Sequence, residues 1–293
     1  MKKKLIAALL IAVMMMTVLM PCAFALEAGE ARVTIGANLD QTQVEQVYKT
    51  FGINRGDVKE VSVTNDEERS YLDGLVSEDK IGSRAISCAY ITTKQEGEGL
   101  DVSVSNINWC TGEIYTNALL TAGITDARVV ITAPFAVSGT GALTGIYKAY
   151  EDITGTTLKE ENKEVATEEL ITTADLSDTI GSEQATELVT ELKKILDETK
   201  DMTDDEVREQ IRSIAKDLNI ELNDEYVEKL LKLVRSLEGL SFDDLMSRVQ
   251  GLQDTLRKAD NLKGFFEKFG SSVATFFQKL GAFISGIFGN ANA

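Results

Sequence analysis

Histidine is missing from this 293-residue chain. Its absence removes the usual general base, the Ser-His-Asp and Cys-His pairs and the commonest zinc ligand. Carboxylate chemistry, a Ser-Lys pair or oxygen-ligated calcium remain available. The strongest local motif is APFAVSGTGALTGIYKAY, where a strand pattern runs into a glycine-rich turn and then a helix pattern. Ser138, Gly139, Thr140 and Gly141 leave room for close backbone approach, and a helix N-terminus favours negative charge, so this turn is the candidate ligand-binding site. It lacks a phosphate-loop lysine, and its glycine spacing departs from the dinucleotide fingerprint. The same residues also fit a plainer role, capping the helix and letting it lie close on a sheet.

The carboxylates offer less. Asp201, Asp204, Asp205 and Glu206 have neither the central glycine nor the spacing of an EF-hand and read as helix N-terminal charge. Asp66, Glu67 and Glu68 are adjacent, so they do not face each other as a glycosidase pair must, and they read as a solvated face. Trp109 reads as a core aromatic beside Cys110. No catalytic residue, metal site or cofactor is expected.

The setting for this chemistry is outside the cell. Lys2, Lys3 and Lys4 precede an apolar run from Leu5 to Met20, with small residues at Ala23 and Ala25, which is the order of a signal peptide cleaved after Ala25. Cys22 raises lipidation as an alternative, but Pro21 stands where such signals want a small residue. Removing the three lysines takes the net charge from −17 to −20, which repels phosphate backbones, so nucleic acid is not an expected partner. In an oxidising compartment the remaining pair, Cys88 and Cys110, is expected to form a disulfide.

The elements that must position these residues alternate. ARVTIGANL reads as a strand, Asp40 caps the helix TQVEQVYKTFG, VKEVSVT is a strand, and Asn65 caps NDEERSYL. SRAISCAYITTK and LDVSVSNINW, separated by QEGEG, read as a β-hairpin, and a turn centred on Gly99 sets Cys88 opposite Cys110. A helix over TGEIYTNALLTAG, the strand ARVVITAPF and the helix TGALTGIYKAYEDI complete the order β-α-β-α-β-β-α-β-α. The fold class is therefore α/β, a mixed sheet covered by helices, over residues 26–155.

Residues 156–260 form an acidic all-helical region. Thr203 with Glu206, Asn223 and Ser241 each open a helix, and Val207, Ile211, Ile214 and Leu218 share one stripe, as do Val227, Leu230, Leu231, Val234 and Leu237. Residues 261–293 are rich in Phe and Gly, and the amphipathic stripe from Phe265 to Phe288 is suited to packing on protein or to peripheral membrane contact over 261–288.

VTIGANL, VTNDEERSYL, IGSRAIS, NINW, YTNALLTAGI and APFAVSGTGALTGIYKAYE, with the helices DDEVREQIRSIAKDLNIELNDEYVEKLLKLV, resemble domain-of-unknown-function family 1002, the YpuA-like secreted proteins of Gram-positive bacteria. The resemblance covers roughly residues 30–240 and implies export but no activity, so it transfers no catalytic residue. Together these readings lead to an expected secreted, non-catalytic envelope or surface protein that binds another envelope component. The alternative is a small-ligand receptor or carboxylate-based enzyme using the loop 138–145.

Overall fold

The computed structural model describes residues 29–258. The expected signal peptide, 1–25, and the Phe-rich segment, 261–293, lie outside the described residues. Five strands, β1 (Ala31–Gly36), β2 (Lys59–Val63), β3 (Cys88–Thr93), β4 (Asp101–Ile107) and β5 (Ala127–Val137), form one sheet in the order β2-β1-β3-β5-β4. β1 and β2 are parallel, as are β5 and β4, while β3 is antiparallel to both its neighbours.

The order of strands and helices is the one the sequence leads to, but the hairpin is not formed. β3 and β4 flank β5, which pairs Cys88 with Thr132 on one side and Val104 with Ile131 on the other. Burial explains the choice. β5 is largely buried and takes the interior place, whereas β4 alternates exposed Asp101, Ser103 and Ser105 with half-buried Val102 and Val104, a pattern that suits an edge. A shift at Asn106, which has φ 56° and donates from Nδ2 to the Ala133 carbonyl at 2.7 Å, ends the regular pairing.

Losing the hairpin also overturns the expected disulfide. Cys88 and Cys110 are free thiols in different apolar clusters, Cys88 with Val33, Val44 and Tyr48, and Cys110 with Ile114 and Tyr115. Burial pushes each thiol up to about 12, so neither is an available thiolate.

Helix α1 (Gln41–Phe51) covers one sheet face with Val44, Val47 and Tyr48. Its ends match the sequence: Asp40 accepts from the Gln43 amide at 2.9 Å, and Gly52 closes it at φ 73°. α2 (Asn65–Leu72) is capped one residue earlier than the sequence indicates, by Thr64, whose side chain and Glu67 satisfy each other's amides. The short α3 (Glu78–Ile81) follows. On the other face lie α4 (Gly112–Ala122) and α5 (Ala142–Thr154), which bury Ile114, Leu119 and Ile146 against Ile91, Val129 and Ile131.

The helical region is not detached from this core. α6 (Glu160–Ile180) places Ala166, Leu170 and Ala174 in the sheet-side cluster and Val165 and Leu176 in the next. That second cluster comprises α7 (Ser182–Lys194), the short α8 (Leu196–Thr199), α9 (Asp204–Asp217) and α10 (Asp224–Glu238), with the two stripes read from sequence facing inward apart from half-buried Leu218. Thr203 and Asn223 cap α9 and α10 as expected. α11 (Phe242–Lys258) spans both clusters through Leu245 and Val249, and its Arg248 donates to the Leu120 and Thr121 carbonyls at the end of α4.

At the junction of α4, α6 and α7 sits a buried polar network. Lys193 Nζ lies 2.6 Å from Glu169 Oε1, with side chains 0% and 1% exposed, and also donates to the Asn117 carbonyl at 3.2 Å. Thr121 Oγ1 donates to Glu169 Oε2 at 2.6 Å.

Thiol burial gives a direct check on the fold. In a chain beginning at Leu26, Cys88 and Cys110 are expected to be unreactive toward a water-soluble disulfide reagent until the protein is unfolded, when both react. Rapid reaction of the native protein, or a disulfide found between them by mass spectrometry, contradicts the strand order.

Candidate functional site

Four strands, β1, β2, β4 and β5, end at one edge of the sheet, and α1, α2, α4 and α5 each begin close after them. α1 covers one face while α4 and α5 cover the other. Parallel strands that send their helices to opposite faces leave a crevice at their carboxyl ends, the usual ligand position in such sheets. Here the chain fills part of that edge itself. A Cβ on Gly36 would lie 2.4 Å from the Ala85 carbonyl oxygen, so the segment entering β3 lies directly on the end of β1.

The expected loop residues are brought together at this edge. Ser138 Oγ donates to the Lys80 carbonyl at 2.9 Å and lies 3.4 Å from the buried Thr140 Oγ1. Gly139, at φ 93°, offers its carbonyl to the Tyr115 hydroxyl, and a Cβ there would be 2.6 Å from Ile107 Cγ2. Further along, a Cβ on Gly145 would be 2.8 Å from Thr34 Oγ1 and 3.2 Å from Val63 Cγ2. Gly145 therefore serves the plainer role, close packing of α5 on β1 and β2.

Gly141 is different. A Cβ there would sit 2.0 Å from Glu68 Oε1, so the carboxyl of Glu68 already occupies the place over the loop that an incoming anion would take. Glu68 is 3% exposed, which corrects the reading of Asp66, Glu67 and Glu68 as one solvated face. It lies on the inner side of α2, one turn before fully buried Leu72, and that four-residue spacing was the available signal. Its Oε2 accepts from Asn65 Nδ2 at 3.3 Å. Burial raises its pKa to about 7, with the Asn65 bond opposing and Glu67 adding to the rise. Glu67 behaves oppositely: burial would raise it, but Lys148 at 2.5 Å and the Thr64 cap hold it below the usual carboxylate range.

Other singled-out acids are engaged elsewhere. Asp204 pairs with Arg235, Asp205 with Arg208, and Glu206 with the Thr203 cap. Among the described residues, no group of three or more metal-ligating side chains is placed to hold an ion. Trp109 donates from Nε1 to Asp178 Oδ2 at 3.0 Å, and Lys80 Nζ stands 4.2 Å above its ring.

Glu68 makes stability depend on pH. Its pKa rises on folding, so its contribution is fully present below the unfolded carboxyl value and is lost as pH climbs through about 7. Glu68→Gln, measured by urea unfolding, is expected to resemble wild type within about 1 kcal/mol near pH 5 and to be more stable by roughly 2–3 kcal/mol near pH 8. Equal differences at the two pH values contradict the buried neutral carboxyl.

Among known proteins, the chain is 46% identical over 161 residues to "Uncharacterized protein YpuA" of Bacillus subtilis (strain 168). That match covers 55% of this chain and 55% of the relative, so it spans about half of each. No solved structure matches. The family described as protein of unknown function (DUF1002) matches residues 35–255, from the middle of β1 into α11, and the chain belongs to that family.

Proposed function

We propose that this chain is an exported, non-catalytic protein of the cell envelope that acts by binding another envelope component at the strand-end edge beside Ser138–Gly141. The observation that carries the reading is Phe135. Among the described residues it is the one large apolar side chain left exposed, at 45%, and it stands on β5 three residues before the loop. A chain that buries its other large apolar groups and presents one beside a polar loop has the makings of a contact point. Export rests on Lys2–Lys4, the apolar run and Ala25; the acidic surface suits a soluble extracellular protein.

The second reading is a carboxylate enzyme or small-ligand receptor. What favours it is Glu68, whose pKa of about 7 suits proton transfer at neutral pH. In that reading Ser138 and Thr140 supply hydroxyl contacts.

A photoreactive residue at Phe135, compared in living cells with one at exposed Lys232, separates the two. The binding reading expects an envelope adduct from position 135 and not from 232, with the mature chain beginning at Leu26. Equal or absent crosslinking at 135 contradicts it. Turnover of cell-wall fragments that Glu68→Gln abolishes supports the enzyme instead.

A further inference from the structure

Residues 73–87 join α2 to β3 and lie across the strand-end edge. Two glycines with left-handed φ, Gly74 at 83° and Gly82 at 72°, bracket α3, and a Cβ on either would meet nothing within 4 Å. Fastenings hold the span down at both ends. Arg69 grips Glu78 with two bonds of 3.1 and 2.7 Å and donates to the Gly82 carbonyl at 2.9 Å. The Lys80 carbonyl takes the Ser138 bond, and Lys80 Nζ stands over Trp109 and 3.5 Å from Asp178 Oδ2. The underside is apolar: Ile81 is buried, and Leu75 and Val76 pack on the same core.

We propose that residues 73–83 are a lid on the loop 138–141, hinged at Gly74 and Gly82, which stays closed while Glu68 is neutral and opens as Glu68 ionises.

The reasoning starts from what surrounds that carboxyl. Glu67 adjoins it on α2, Tyr115 faces it from α4, Cys88 from β3, and Gly141 from the loop. The cation nearest in this set, Lys148 of α5, is committed to Glu67. A neutral carboxyl is tolerated here with its single bond from Asn65, whereas a carboxylate is desolvated beside a second acid and needs water. α2, β3 and α4 are fixed by the core. The cover is the weaker barrier, because its ion pairs are solvent-exposed and individually weak, and its two joints turn freely. Opening frees the Lys80 carbonyl from Ser138 and admits water, or a polar ligand, to the loop. The lid does not depend on the binding reading, since proton release alone moves it.

Trp109 is the only tryptophan of the chain and lies under the Lys80 latch, so it reports on the lid. In the full chain from Leu26, acrylamide quenching of Trp109 is expected to rise several-fold from about pH 5 to about pH 8, with a midpoint near the Glu68 titration. Glu68→Gln is expected to remain low at both, and Lys80→Ser to be high at both. Quenching independent of pH in wild type, or a rise of the same size in Glu68→Gln, overturns the proposal. Hydrogen exchange of wild type gives a reading that needs no variant: after correction for intrinsic rate, amides of 73–83 lose protection between the two pH values while those of α10 do not. Uniform change in both segments, or none in 73–83, overturns it as well.

Discussion

The structure depends most on a charge that has no route to water. Lys193 is fully buried among α4, α6 and α7, and burial pushes its pKa down. Glu169, Thr121 and the Asn117 carbonyl together supply the contacts that make its burial tolerable. An ion pair of this kind adds little net stability over well-packed apolar groups, but leaving one partner alone is costly. Its consequence is therefore geometric. Any sliding of α6 or α7 along α4 separates an ammonium from its carboxylate in an apolar interior, so one register is strongly preferred. Because α4 also forms the sheet's second covering layer, the helical region inherits its position from the sheet.

A second buried carboxyl shows the opposite solution. Glu169 has an ammonium at 2.6 Å; Glu68 has one side-chain amide at 3.3 Å and an acid as its sequence neighbour. The first pair fixes architecture, and the second leaves a proton to be gained or lost near neutrality. That proton sits where the strand ends, the loop 138–141 and the span 73–87 converge. The unpaired carboxyl is thus the feature of the edge that responds to its surroundings, whether the edge binds a partner or a small molecule.

Much of this was legible locally. Asp40, Thr203 and Asn223 cap the helices their spacing indicates, and the stripes of α9 and α10 face a shared core, because caps and 3.6-residue periodicity are settled within one or two turns. Strand order was not, since the insertion of β5 between β3 and β4 depends on which strand can be buried on both faces. With it went the disulfide. Glu68, Glu169 and Lys193 were also missed, because charged residues ordinarily face water and their burial is decided by groups far along the chain. Yet each leaves a trace: Lys193 is four residues after Val189 and three before Leu196, inside an apolar stripe, just as Glu68 precedes Leu72. Of the loop, Ser138 to Gly141 were brought together as expected, while the carboxyl resting on Gly141 came from 73 residues upstream.

The central claim, that the Lys193–Glu169 pair sets the register between helical layers and sheet, is tested most directly by a double-mutant comparison in urea. Lys193→Met alone is expected to lose about 3–5 kcal/mol by stranding Glu169, while Glu169→Leu with Lys193→Met recovers most of that loss. A single variant that loses less than about 1 kcal/mol, or a double variant no more stable than Lys193→Met, contradicts the account.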